Sequence, residues 1–145
     1  MRVLGLDFGD RSIGLAVSDK LHLTAQGIGR YRVKNKKEDK KFFRELVSKY
    51  EVNEIVIGLP LRMNGTPGTR AEKTKQFAHW LEEKVKIPVI FWDERLTSKQ
   101  ALKILQQQKA NRKTKKSLKD QISAVLILSN YLENKRTKNY DSQNH

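Results

Sequence analysis

The chain has 145 residues, enough for one core and one domain. It has no cysteine, which excludes disulfides, thiolate metal sites and a cysteine nucleophile, and three scattered histidines make no zinc cluster. The net charge of +14 is uneven, with 11 Lys/Arg against 3 acids in residues 99–145 and 19 against 13 before them. Such a bias favours a polyanion partner, nucleic acid above all, although a generally lysine-rich composition yields the same number.

No stretch approaches the roughly 18–20 consecutive apolar residues that span a bilayer. The N-terminus enters a strand at once, so the chain reads as one without a signal peptide, cytoplasmic and without a membrane partner. Residues 2–8 and 13–18 read as two short apolar strands joined by a glycine-bounded turn. Asp7 lies near the end of the first, where a charge is costly to bury without a partner. Gly9 and Gly14 leave room beside it for a ligand or another backbone. The segment by itself allows two readings of Asp7: an acid in a metal or phosphate site, or one that satisfies the turn's own amides.

A third strand follows at about 25–33, then a helix at about 37–50 with Phe42, Phe43, Leu46, Val47 and Tyr50 on one face. Residues 54–59 and 88–92 are short apolar runs of the buried parallel type, separated by a helix over 70–86. A helix over 98–108, a basic loop and a helix over 117–134 complete the order, and residues 135–145 read as a basic, polar, disordered tail. Three meandering strands followed by strand–helix alternation describe an α/β domain over 1–134. Its mixed five-stranded sheet has helices on both faces, and in such sheets sites collect at the carboxyl ends of strands.

Three places in this order carry chemistry. Asp93 and Glu94 follow directly on the strand 88–92, and alternation sends them to opposite sides, so one faces a site and the other pairs with Arg95 or a lysine. Spacing does not decide which. Thr97 with Gln100 fits a capping box for the next helix. The loop from Gly58 to Gly68, with three glycines, two prolines and Arg62, is shaped and rich in amides for phosphate oxygens, yet it lacks the Lys-Ser/Thr ending of a P-loop. Asp120 opens the last helix. Ser117-x-x-Asp120 is itself a capping-box pattern, while the stripe Leu118, Ile122, Val125, Leu126, Ser129 and Leu132 reads as core-facing and leaves Asp120 on the neighbouring face with Ala124 and Ile127. Both readings of Asp120 stand on spacing alone. Lys109, Arg112, Lys113, Lys115 and Lys116 lie within eight residues with no apolar anchor except Ala110, which suits a flexible loop that engages substrate, or a plain solvated linker.

Acids from separate strand ends and a helix, in a basic protein, match what metal-assisted phosphodiester cleavage requires: carboxylates for one or two Mg²⁺ or Mn²⁺ ions, and cations for the phosphate backbone. Four blocks make the match specific. They are Asp7-x-Gly9 with Ile13-Gly14-x-Ala16-x-Ser18-Asp19; Gly58-Leu59-Pro60 with Asn64-Gly65-Thr66; Asp93-Glu94-Arg95-Leu96-Thr97; and Asp120-x-x-x-Ala124-x-x-x-Leu128. Taken in order over residues 1 to about 132, they resemble the YqgF or RuvX-type family, with a ribonuclease H-like fold. Its members are described as pre-16S rRNA nucleases and as Holliday-junction-resolvase-like.

The resemblance implies that Asp7, Glu94 and Asp120 are the catalytic, metal-binding acids. Arg11 stands in for the basic residue the family often has where Ser12 stands here, and Ser123 replaces the first of a usual Ala pair. Arg62, Arg95 and the basic run Lys109, Arg112, Lys113, Lys115 and Lys116 are the expected nucleic-acid contacts. The reaction implied is maturation of the 5′ end of precursor 16S rRNA by a metal-dependent nuclease acting on structured RNA. Resolution of four-way DNA junctions, and an inactive nucleic-acid-binding module, are the alternatives. Junction resolution calls for a dimer with two matched sites, and the helical stripes here look occupied in covering one sheet, so a monomer is expected.

Overall fold

A computed structural model describes residues 1–62, 65, 68–96 and 116–143, with the side chains of 116–119 and 139–143 excepted. Five strands form one sheet: β1 (Arg2–Phe8), β2 (Ser12–Ser18), β3 (Ala25–Arg32), β4 (Val52–Leu59) and β5 (Val89–Asp93), in the order β3-β2-β1-β4-β5. The first three pair antiparallel as a meander, and β4 and β5 add in parallel beyond β1. The mixed five-stranded sheet read from sequence is therefore the observed one. β1 lies at its centre and has buried residues on both faces, as its unbroken apolar run requires.

Helices α1 (Lys36–Lys49) and α2 (Thr69–Val85) cover one face. Leu4, Leu6, Ile13, Leu15, Ile55 and Ile57 meet Phe43, Leu46, Ala78 and Leu81 there. Asn35 starts α1 by accepting a hydrogen bond from the Glu38 amide at 2.9 Å. The other face belongs to α3 (Lys116–Gln143), which packs Ala124, Ile127, Leu128 and Leu132 against Val3, Ala16, Val56 and Trp92. Among the described residues, no helix is long and apolar enough to cross a membrane.

Two expectations change here. The helix read as ending at 134 continues to Gln143, through residues read as a disordered tail. No glycine or proline interrupts it, and its first extra turn is anchored: Lys135 Nζ donates to Glu54 at 3.2 Å, and Arg136 donates to the carbonyls of His22 and Leu23 at 3.0 and 3.1 Å. The buried stripe of α3 is also one position round from the predicted one. Ala124, Ile127, Leu128 and Leu132 are buried, whereas Ile122, Val125, Leu126 and Ser129 are half-buried. Small residues decide this, because a Cβ on Gly5 would lie 2.7 Å from Leu128 Cβ and 3.3 Å from the Ala124 carbonyl. The helix backbone sits down on glycine, and the face carrying Asp120 turns to the sheet.

Candidate active site

The carboxyl end of β1 presents Asp7 on the α3 face, the face of Val3 and Gly5. Asp7 pairs with Gly14 on β2, and Gly14 pairs with Arg30 on β3. On its other side, one residue past the Leu6–Ile57 pair, stands Gly58 of β4. Asp7 thus lies between two glycines. A Cβ on Gly14 would sit 2.1 Å from the Asp120 carbonyl oxygen, and a Cβ on Gly58 would sit 2.6 Å from Glu94 Oε1. Each missing side chain makes the room that one further acid occupies.

Asp120 is not a helix cap. The described helix runs from Lys116, so Asp120 lies beyond its first turn, and its carboxylate accepts a hydrogen bond from Ser12 Oγ at 3.0 Å. Arg30 stands 3.8 Å from the same oxygen. Asp7, Gly9, Arg11, Ser12, Arg70, Asp120 and Ser123 line one cavity of about 430 Å³. Asp93 takes the opposite side from Glu94 and is held by Arg95, whose Nη2 donates at 2.7 Å and Nε at 3.1 Å. These side-chain hydrogen bonds keep the Asp93 carboxyl below its ordinary value and raise the Arg95 guanidinium. Asp93 therefore closes a structural pair, and Glu94 is the acid that reaches the α3 face.

The cations divide in two. Arg11 and Arg70 are exposed residues on the wall of the acid cavity. Arg62 lies against Gly68 and Arg95 against Gly65, so these two flank the glycine-rich loop. Lys109, Arg112, Lys113 and Lys115, the helix read over 98–108, and the Thr97–Gln100 capping box lie outside the described residues. Lys116 is the first described residue of α3, with its backbone alone described.

Sequence reading missed Arg30, Arg70 and the orienting role of Ser12. Arg70 had a signal, in the first turn after the glycine-rich loop. Arg30 had none, because the β2–β3 register shifts between Leu15 and Ala16 and so cannot be counted from the turn.

Asp7, Ser12 and Asp120 bring carboxylate and hydroxyl oxygens to one cavity, the ligand type that hard divalent cations take, with Arg11 and Arg70 on its wall. Among the described residues no three acids or histidines stand together in a metal-holding cluster. Asp7 and Asp120 line one cavity, and Glu94 stands on the same face beside Gly58, outside that lining.

The RuvX family model, described as a Holliday junction resolvase, matches residues 1–134. The chain belongs to the RuvX family. The resemblance carried by the four sequence blocks therefore holds, and with it a nuclease, a hydrolase acting on ester bonds. A protein of Syntrophomonas wolfei named as a candidate pre-16S rRNA nuclease is 48% identical over 133 residues, covering 92% of this chain and 94% of its own. One of Koribacter versatilis with the same name is 46% identical over 132 residues, covering 91% and 86%. Among solved structures, Thermus thermophilus RuvC in complex with a Holliday junction substrate superposes with a TM-score of 0.62 at 14% identity, covering 94% of this chain and 96% of that one. At that identity the likeness is one of fold, the ribonuclease H-like sheet of RuvX proteins.

Proposed function

We propose that the protein matures precursor 16S rRNA by cutting at its 5′ end, as a cytoplasmic monomer with one divalent-metal site. The observation that carries this is the pair of glycines flanking Asp7, which leave room for Asp120 on one side and Glu94 on the other. A protein that only bound nucleic acid would gain nothing from acids gathered among phosphates. Asp7, Glu94 and Asp120 would hold Mg²⁺ or Mn²⁺. When bound, the metal lowers the pKa of an attacking water and neutralises charge on the leaving oxygen.

The chain's own groups do the rest. Ser12 fixes the direction in which Asp120 offers its lone pairs, and Arg30 holds the same oxygen from the sheet edge. Arg11 and Arg70 offer guanidinium donors to phosphate oxygens at the cavity wall. Arg62 and Arg95, beside the glycine-rich loop, add cations there, and the basic composition of residues 109–116 supports further phosphate contacts that do not read sequence. The RNA reading draws on the names of relatives that match nearly the whole chain. The family description favours a second reading, cleavage of branched DNA.

The deciding experiment offers precursor 16S rRNA and a synthetic four-way DNA junction to the wild type and to Asp7→Asn, with Mg²⁺ or Mn²⁺. Metal-dependent cuts in the rRNA precursor that vanish in Asp7→Asn are expected. Paired nicks in the junction, together with a stable dimer in light scattering, would replace the RNA reading with the junction one.

A further inference from the structure

A second cavity, of about 540 Å³, opens on the opposite face of the sheet beside the same strand end. It shares Phe8 and Asp10 with the acid cavity, so the two adjoin at the β1–β2 turn. Its floor is aromatic. Phe8 stacks on Phe77 with ring centroids 4.7 Å apart, and Trp80 continues the surface 5.8 Å beyond Phe77. Its rim carries the exposed Lys34, Lys36 and Lys73, the last paired with the Asp10 carboxylate at 3.8 Å.

This wall is rigid. The buried Asp39 accepts from Tyr31 Oη at 2.6 Å and from the Lys34 amide at 3.0 Å, and burial raises the Tyr31 hydroxyl so that it stays a donor. On α2, residues 70, 73, 77 and 80 follow a helical stripe about 15 Å long. It runs from Arg70 at the acid cavity, through Lys73, to the aromatic rings.

Aromatic faces that stack a base and lysines that hold the flanking phosphates are the two components of single-strand binding. A volume of this size suits one nucleobase with its sugar. Strand alternation gives the arrangement its logic: Asp7 and Phe8 are consecutive, one facing each cavity. We propose that this pocket captures an unpaired base of the substrate strand a short way along from the scissile phosphate, stacked on Trp80 and Phe77, with Lys34 and Lys36 on the flanking phosphates. The enzyme then selects a site where single-stranded RNA adjoins structure. This inference rests on the nuclease reading.

The chain has two tryptophans, and Trp92 is buried against Tyr131 on the other face, so Trp80 is the emission that a base in the pocket would quench. The experiment titrates a single-stranded oligouridine, and separately a blunt RNA duplex, into the full chain with metal chelated. The oligouridine is expected to quench the emission and the duplex to leave it unchanged. Trp80→Leu is expected to bind the single strand about tenfold more weakly, while Trp80→Phe retains affinity without the quench. Near-ultraviolet circular dichroism from Trp92 checks that both variants fold.

Equal quenching by duplex and single strand, or unchanged affinity in a folded Trp80→Leu, overturns the pocket even if the wild type cuts precursor rRNA. Quenching and Trp80-dependent affinity without any metal-dependent cleavage would keep the pocket and overturn the nuclease.

Discussion

Gly14→Ala tests the central geometry, because the obstacle it meets is backbone. The new Cβ would lie 2.1 Å from the Asp120 carbonyl oxygen, 2.6 Å from its carbon and 3.3 Å from its Cα. Comfortable contact begins near 3.5 Å, so α3 must retreat by more than about 1 Å at Asp120, and no rotamer change relieves it. Overpacking of this kind costs about 1–3 kcal/mol. Restricting the unfolded chain offsets roughly 0.4–1 kcal/mol of that. The net loss of about 1–2 kcal/mol corresponds to a fall in Tm of roughly 5 °C for a domain of this size.

The effect on chemistry is larger. A displacement of about 1 Å at Asp120, with its Ser12 bond stretched, is expected to lower cleavage by about 100-fold. Thermal melts and metal-dependent cleavage of precursor rRNA measure the two effects. Gly27→Ala is the control on the same helix-facing side of the sheet, since its Cβ meets the movable Oε1 of Gln121 at 2.9 Å. A Gly14→Ala protein with wild-type Tm and full activity, or a Gly27→Ala protein equally damaged, would refute the claim that Gly14 seats Asp120.

Ser12→Ala removes the hydroxyl that orients Asp120 and is expected to slow cleavage by about 10–100-fold, with a greater loss in Asp7→Asn; single-turnover rates on one substrate check the order. Gly58→Ala pushes against the flexible ends of Glu94 and Ile127 at 2.6 and 2.5 Å, so activity should fall well beyond any loss of Tm; equal losses would remove Glu94 from the site. The lowered Asp93 carboxyl contributes stability that is fully present above its ordinary value of 3.8 and is lost as pH falls through the lowered one. Arg95→Gln should therefore flatten the decline of Tm in the acid range below about pH 4, and an unchanged acid limb would count against the pair. Ending the chain at Asn134 deletes the Lys135 and Arg136 contacts and should cost on the order of 1 kcal/mol, read as a fall of a few degrees in Tm.

Local physics made much of this molecule legible in one dimension. Alternation and apolar runs place the five strands, because a strand buried on both faces has little other composition open to it. Asp7 stands out because a carboxylate at the end of such a strand demands a partner. Asp93 and Glu94 separate by simple alternation, and the four blocks lead to the RuvX family before any coordinate is known. The face that α3 buries could not be read this way. Both of its stripes are apolar, and the choice between them depends on gaps at Gly5, Gly14 and Gly58 in three different strands, which become one surface only when the sheet assembles. The same holds for Ser12 with Asp120, 108 positions apart, and for Arg30, which the shifted register of β3 brings to them. Periodicity determines which elements form; the depth to which two backbones can approach determines which side chains meet, and that is a property of the packed sheet alone.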